Sequence, residues 1–233
     1  MDFTGRHVVV TGGTGALGTA IVGALLAAGG ICHVPYRKES EAQGFPHRQN
    51  KNVTLYSDIE LADEAAVAGM FDKVPALWAS IHAAGGFAAG PVGKTGKSAL
   101  MAQIDGNLVS CFLCCKAAVN AFARGQSGGR IVNVAARHAL EWRAGAGMAA
   151  YTVAKAGVAA LTVALAEEVV KDGILVNAVA PSIIDTPANR QAMPKADHAS
   201  WPKPEEIAAT ILFLASPDNK VTRGAVVPVY GKS

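Results

Sequence analysis

The sequence predicts a single α/β domain, residues 1–233, built on a doubly wound parallel sheet with helices on both faces. Short apolar runs alternate along the chain with longer segments of helical periodicity, which is the pattern of repeated βα units. The short runs are almost continuously apolar, as is typical of parallel strands that are buried on both faces. No linker, shift in composition or internal repeat divides the chain.

The short apolar runs predict strands at His7–Thr11, Cys32–Tyr36, Val53–Tyr56, Trp78–His82, Arg130–Ala135, Leu175–Val179 and Ala225–Val229. Helical periodicity predicts helices at Ala16–Ala28, Ala62–Lys73, Lys97–Arg124, Ala149–Lys171 and Pro204–Ala215, the last with a proline suited to its first turn. A segment rich in proline, alanine and polar residues interrupts the alternation before the last helix. We therefore expect a lid or substrate loop at about residues 187–203.

The composition favours a small-molecule partner. Apolar residues make up 51% of the chain and charged residues 17%, against roughly 25% charged in an average domain, which excludes a disordered chain. The net charge is +3 and the basic residues are scattered, which argues against nucleic acid or a membrane as partner. The N-terminus lacks a signal-peptide pattern, and glycines break the apolar runs before about 18 residues, so we expect a cytoplasmic protein.

The four cysteines indicate neither a disulfide framework nor a metal site. Cys111, Cys114 and Cys115 lie in one apolar stretch. A structural zinc site needs four ligands, and no second Cys or His pair at ligand spacing follows these cysteines. We therefore expect buried helical thiols and no metal.

A glycine-rich turn joins the first predicted strand to the first helix and reads Thr11-Gly12-Gly13-Thr14-Gly15-Ala16-Leu17-Gly18. Glycines let the backbone approach a pyrophosphate, and the helix N-terminus supplies unpaired N–H groups and a favourable dipole. Tight turns also use glycine for steric reasons alone. The position in the first βα connection favours a dinucleotide site.

The end of the second strand indicates which dinucleotide binds. An NAD site would place an acid there, on the ribose hydroxyls, but the sequence reads Val34-Pro35-Tyr36-Arg37-Lys38. Arg37 and Lys38 offer charge-assisted hydrogen bonds to a 2′-phosphate, which favours NADP(H) over NAD(H). The alternative interpretation is a solvated surface pair.

Tyr151 and Lys155 are four residues apart in a predicted helix and therefore share one of its faces. A tyrosine with an ordinary pKa near 10 is a poor acid or base at neutral pH. A neighbouring ammonium favours the phenolate and is expected to lower that pKa toward the working range. Such a pair could donate or accept a proton during hydride transfer.

The loop, the Tyr-x-x-x-Lys pair and their spacing together resemble the short-chain dehydrogenase/reductase family over nearly the whole chain. The resemblance implies a Rossmann fold with a seven-stranded parallel sheet in the order 3-2-1-4-5-6-7. It also implies that the cofactor is bound by Thr11, Gly12, Thr14, Gly15, Ala16, Leu17, Gly18, Arg37, Lys38, Asp58, Ile59, Ala84, Gly85, Lys155, Pro181, Ile184 and Thr186. Among these, Asp58 and Ile59 would contact the adenine, and Thr186 the nicotinamide carboxamide.

The resemblance also implies the catalytic roles. Tyr151 would be the general acid/base, and Lys155 would bind the nicotinamide ribose and lower the pKa of Tyr151. Asn107 would order a proton-relay water, and the hydride would come from the cofactor. The family's usual assembly, a homotetramer or homodimer, would form through the helices Lys97–Arg124 and Ala149–Lys171.

Three positions depart from the family pattern. Ala16 replaces the middle glycine of the loop, and Ala83 replaces an asparagine whose amide ties neighbouring strands together. The serine that hydrogen-bonds the substrate carbonyl is missing. Aligned from the strand, its place is Ala136, whereas counting back from Tyr151 gives His138, which alone of the two could donate a hydrogen bond. His138 or Arg137 is expected to substitute for the serine, or the substrate needs less polarisation.

These features predict an oxidoreductase that transfers a hydride between NADP(H) and a small carbonyl or alcohol substrate. An alternative is an imine or dihydropteridine reductase, because dihydropteridine reductases, a branch of the same family, also lack the serine. An alternative of another class is a catalytically weak, NADP-binding regulatory or scaffold protein.

Overall fold

Seven parallel strands form one sheet in the computed structural model, which describes residues 1–125 and 128–233. The strands are β1 (His7–Thr11), β2 (Ile31–Pro35), β3 (Val53–Tyr56), β4 (Leu77–His82), β5 (Gly129–Val134), β6 (Ile174–Pro181) and β7 (Val226–Val229). Their order is β3-β2-β1-β4-β5-β6-β7, and every neighbouring pair is parallel. The predicted fold class and strand order are confirmed.

The helices are α1 (Ala16–Ala27), α2 (Glu39–Gln43), α3 (Glu64–Phe71), α4 (Lys97–Gln103), α5 (Ser110–Gly125), α6 (Ala149–Glu168), α7 (Pro187–Ala192) and α8 (Pro204–Ala215). The predicted helix Lys97–Arg124 is wrong in one respect, because a π-helical turn at Ile104–Val109 separates α4 from α5. The expected substrate loop contains a short helix, α7. Its first turn has Pro187 at the start and is capped by the Thr186 hydroxyl, which accepts the Asn189 N–H.

Two hydrophobic cores cover the faces of the sheet. On β1, Val9 points to the core formed with α3, α5 and α6, while Val8 and Val10 point to the core formed with α1 and α8. This alternation follows from the two-residue period of a strand, and it explains why β1 is apolar at successive positions. All eight residues of β6 are buried.

A buried polar network ties β4 and β5 to α6. The His82 imidazole is 2.8 Å from Asn133 Oδ1, and Asn133 Nδ2 donates to Thr162 Oγ1 at 2.9 Å. The Thr162 hydroxyl in turn donates to the Val158 carbonyl of α6. These bonds link neighbouring strands close to Ala83, where the family pattern has an asparagine amide.

The segments Lys97–Gly125 and Ala149–Glu168 are long and apolar enough to cross a bilayer. Both pack on the sheet, however, through residues such as Phe122 and Val158 that are buried in its core. Packing on the sheet accounts for part of their apolar composition, since 44% and 33% of the two apolar windows are buried.

Candidate active site

The loop between β1 and α1 comes very close to the chain that follows β4. Gly12 has a φ of +67°, and a Cβ there would lie 2.6 Å from the Ala84 nitrogen. A side chain on Gly18 would overlap the Gly12 carbonyl. Gly15 precedes the first residue of α1 without any side-chain cap, which leaves N–H groups of the first turn directed outward. The loop is thus a cradle for an anion at a helix N-terminus.

A groove of about 540 Å³ runs from this loop along the carboxyl ends of the central strands. Its walls include seven of the predicted cofactor residues: Gly12, Thr14, Gly15, Arg37, Ile59, Ala84 and Gly85. Parallel α/β sheets bind ligands in this crevice, beside the point where the strand order reverses, here between β1 and β4. The groove therefore lies where the sequence predicts a dinucleotide.

The other ten predicted cofactor residues are not among those that line the groove. Thr11, Leu17 and Gly18 are buried beneath the loop, and Ala16 is exposed on the first turn of α1. Cofactor contacts of these four residues stay predictions. The same holds for Lys38, Asp58, Lys155, Pro181, Ile184 and Thr186. Asp58 has a φ of +58°, so the turn after β3 holds it in a left-handed conformation.

Acidic side chains surround Arg37 at the end of the groove beyond β2. Its guanidinium is 3.2 Å from a carboxylate oxygen of Glu60, and its backbone N–H donates to the Glu41 carboxylate at 3.1 Å. Arg37 and Glu60 are 58% and 52% exposed, so solvent screens the ion pair. Lys38 directly precedes α2 and does not line the groove. Of the predicted basic pair, the structure brings only Arg37 to the groove.

Tyr151 and Lys155 lie one turn apart on α6, as predicted. The Lys155 ammonium is buried and donates to the Val134 carbonyl at 2.8 Å. Burial lowers the pKa of Lys155 to about 8 and raises the pKa of Tyr151 to about 12. The expected lowering of the Tyr151 pKa by Lys155 is therefore wrong for this arrangement, because the loss of hydration dominates.

Asn107 sits inside the π-helical turn and clamps the chain after β4. Its Oδ1 accepts the Gly86 N–H at 3.2 Å, and its Nδ2 donates to the carbonyls of Gly86 and Gln103 at 3.0 Å. A Cβ on Gly85 would come within 2.6 Å of that Oδ1 and 3.3 Å of the Lys155 ammonium. Gly85 thus lets Asn107 and Lys155 approach each other beneath the groove.

The rings of His138 and Phe87 flank Tyr151. Their centroids lie 6.0 and 5.0 Å from that of Tyr151, and both pairs are T-shaped. Burial, followed by the charge of Arg137, lowers the pKa of His138, so its imidazole is neutral at pH 7 and keeps one N–H donor. Ala136 is buried and brings no hydrogen-bond donor in its side chain.

Arg137, the other candidate substitute for the serine, is directed elsewhere. Its guanidinium pairs with Glu141 at 2.7 Å and lies over the ring of Tyr230. Phe87 was missed by sequence reasoning, although a bulky aromatic side chain after Gly85-Gly86 is an available signal. It is 62% exposed and packs edge to face on Tyr151.

Comparisons with known proteins agree with this geometry. Residues 6–197 match the short chain dehydrogenase family. The chain is 36% identical over 188 residues to (2S)-[(R)-hydroxy(phenyl)methyl]succinyl-CoA dehydrogenase subunit BbsD of Thauera aromatica, covering 74% of this chain and 73% of that one. It is 31% identical to galactitol 2-dehydrogenase of Rhizobium johnstonii, covering 97% and 93%.

Among solved structures, ElxO with NADP bound superposes with a TM-score of 0.89 at 24% identity, covering 97% of each chain. At that identity the likeness shows the fold. The family match and the two relatives show more, because they cover most of the chain and name dehydrogenases. The chain is an oxidoreductase that transfers hydride with a nicotinamide cofactor, and it belongs to the short chain dehydrogenase family.

Proposed function

We propose that the protein is an NADP(H)-dependent reductase or dehydrogenase of small carbonyl and alcohol compounds, with Tyr151 as the general acid/base. One observation carries the proposal. The groove built from the glycine loop and Arg37 ends at Gly85 and Gly86, next to the turn that holds Asn107 over Lys155. This arrangement supports a cofactor site that adjoins the proton-transfer residues.

The residues present fit NADP(H), a dinucleotide that carries a 2′-phosphate besides its pyrophosphate. The Gly12 cradle has no room for a Cβ, and the first turn of α1 offers free N–H groups to a pyrophosphate. Arg37 is the basic side chain on the groove wall and would hold a 2′-phosphate once released from Glu60. The cofactor, when bound, supplies or accepts the hydride.

Tyr151 carries its proton at neutral pH, because burial raises its pKa to about 12. In the direction of carbonyl reduction its hydroxyl donates that proton to the substrate oxygen. Lys155, with a pKa of about 8, is mostly an ammonium at pH 7 and stabilises the phenolate left behind. Asn107 holds the Gly86 backbone and is proposed to order the path by which Tyr151 is reprotonated.

His138 is proposed to replace the missing serine as the hydrogen-bond donor to the substrate oxygen. Losing such a donor typically costs about 10²–10³ in kcat. We expect His138→Ala to lower kcat by roughly that factor, and Ala136→Ser in the same background to restore part of the loss. Full activity in His138→Ala would remove the histidine from the mechanism.

We also propose a homodimer or homotetramer that works in the cytoplasm. Phe112 on α5 and Val153 and Val163 on α6 are exposed apolar residues on the two helices through which the family usually assembles. All four cysteines are free and buried, which suits a reducing compartment. A monomer in size-exclusion chromatography with light scattering would refute the assembly.

The function is tested by titrating the protein with NADPH and NADH and by following cofactor oxidation with ketones, aldehydes, quinones and dihydropterins. Tyr151→Phe is expected to lower turnover by about 10²–10⁴ and to leave NADPH affinity within a factor of about two. Turnover retained in Tyr151→Phe would refute the mechanism. Tight NADPH binding without turnover of any compound would favour the regulatory or scaffold alternative.

A further inference from the structure

A cluster of soft ligand atoms lies under the active site and takes no part in the proposed reaction. Cys111 and Cys115 are one turn apart on α5, and His82 is the last residue of β4, on which α5 packs. All three side chains are buried, and their sulfur and nitrogen atoms all lie within 4.8 Å of one another. Sequence reasoning missed the cluster because the fold brings His82 to the cysteines from a distant part of the chain.

The three ligand atoms are close enough together to share one metal ion, since all lie within 4.8 Å of one another. Ligands at the usual zinc distances of about 2.3 Å for sulfur and 2.0–2.1 Å for nitrogen lie about 3.6 Å apart in a tetrahedron. Cys115 Sγ is 3.5 Å from His82 Nδ1. Asn133 Oδ1 is 2.8 Å from the same nitrogen and 3.5 Å from the same sulfur, so it is the nearest oxygen that could become a fourth ligand once the hydrogen bond to His82 is broken.

We propose that His82, Cys111 and Cys115 form a buried binding site for a soft d¹⁰ cation, zinc or copper(I). Thiolate and imidazole donors select these two ions. Zinc would use the Asn133 oxygen to complete four ligands, whereas copper(I) is satisfied by the three soft donors. Two residues i and i+4 on one helix face are a common chelating arrangement, as in the HExxH motif of zinc enzymes.

The hydrogen bonds around His82 and Cys115 indicate which protons a bound cation would displace. Because Asn133 Nδ2 donates to Thr162, its Oδ1 faces His82 and accepts the Nδ1 proton and the Cys115 thiol proton. On binding, the His82 proton moves to Nε2, which lies 2.8 Å from the Ser80 hydroxyl and can donate to it. Both thiols release their protons to solvent, and no electron is transferred. One cation therefore displaces two protons.

The charge balance suits a buried site. Two thiolates and a neutral imidazole neutralise Zn²⁺, and a neutral centre avoids the cost of an unpaired charge in the core. Copper(I) would leave one negative charge, which the ammonium of Lys155, close enough to interact with Cys111, would balance.

Cys114 provides a matched control. It is buried on the same helix and in the same core, but it is not one of the three clustered ligands. Cys114→Ser therefore places the same change beside the site without removing a ligand. Cys111→Ser and Cys115→Ser each remove one.

The experiment loads the purified protein with zinc, or with copper(I) under anaerobic reducing conditions, and measures bound metal by elemental analysis. Cadmium serves as an optical probe through its thiolate charge-transfer band, and proton release is followed with a pH indicator. We expect one equivalent and two protons per chain in the wild type and in Cys114→Ser. We expect at least a tenfold weaker affinity in Cys111→Ser and Cys115→Ser.

Because the site is buried, the protein is also refolded with each ion present, so that slow entry does not conceal binding. Far-ultraviolet circular dichroism and NADPH fluorescence identify variants that fail to fold. If only one of the two ions binds at one equivalent per chain, the site is assigned to that ion. Absence of stoichiometric metal under both loading conditions, or equal binding by all three serine variants, would overturn the proposal.

Discussion

Releasing Arg37 from Glu60 should tighten the binding of NADPH and leave that of NADH unchanged. The guanidinium must leave the Glu60 carboxylate, 3.2 Å away, before it can pair with a 2′-phosphate. Both side chains are more than half exposed, and such pairs are worth about 0.2–1 kcal/mol. Glu60→Gln is therefore expected to lower the Kd of NADPH by about 1.4- to 5-fold.

The complementary change removes the guanidinium itself. A hydrogen bond to a charged group contributes about 1.5–3 kcal/mol, so Arg37→Met should weaken NADPH binding by about 10- to 150-fold. Lys38→Met is the matched control, because Lys38 is the neighbouring basic residue and does not line the groove. Its NADPH affinity should change by less than twofold.

The assay is a fluorescence titration of each variant with NADPH and with NADH at one ionic strength, since salt screens these contacts. Glu64→Gln controls for the loss of one acidic charge, because Glu64 pairs with Lys116 away from the groove. The reasoning fails if Glu60→Gln tightens NADH as much as NADPH, or if Lys38→Met is as damaging as Arg37→Met.

Three further predictions concern the packing around the site. Gly85→Ala should lower kcat by at least tenfold, because its Cβ would lie 2.6 Å from Asn107 Oδ1, whereas Gly69→Ala, which does not line the groove and has no atom within 4 Å of its Cβ, should be nearly silent in steady-state kinetics. Lys155→Met should abolish turnover but raise the free energy of unfolding at pH 7 by up to roughly 3 kcal/mol, because it removes a buried ammonium whose pKa falls from 10.5 to about 8. Between pH 8 and 10.5 the unfolded wild-type chain binds more protons than the folded one, so the contribution of Lys155 to stability rises with pH in that window. The free energy of unfolding of Lys155→Met, measured in urea, should therefore exceed that of the wild type by less at pH 9 than at pH 7. Asn133→Ala should cost about 1–3 kcal/mol in urea unfolding, since the buried His82 Nδ1 and Thr162 Oγ1 each lose their hydrogen bond to Asn133; a loss below 0.5 kcal/mol would contradict that role.

Local patterns in the sequence were sufficient to predict the sheet. Each predicted strand overlaps an observed one, because the apolar runs reflect burial on both faces, which local composition records. The longest discrepancy is β6, which continues to Pro181 because all its residues are buried. The short helix α7 was missed, although Thr186 followed by Pro187 is a helix-start signal.

The candidate site was predictable in its backbone and less so in its electrostatics. The glycine loop and the Tyr151–Lys155 pair depend on spacing within one segment, and spacing is visible in a sequence. The Arg37–Glu60 pair and the packing of Phe87 on Tyr151 join segments that the fold brings together. The direction of the Tyr151 pKa shift was wrong because it is set by burial, which depends on the whole packed structure.

The π-helical turn at Ile104–Val109 sets how far α5 is rotated about the helix axis relative to α4. One residue beyond a regular α-helical turn rotates everything before it by about 100° relative to everything after it. The chain can therefore present α4 to α6 while α5 keeps its own apolar face on the sheet. A one-residue deletion at Gly106 would make the helix regular. No single rotation about the helix axis would then keep both the contact of α4 with α6 and the apolar face of α5 on the sheet. The turn thereby fixes where Asn107 meets the Gly86 backbone, and its loss would displace that contact.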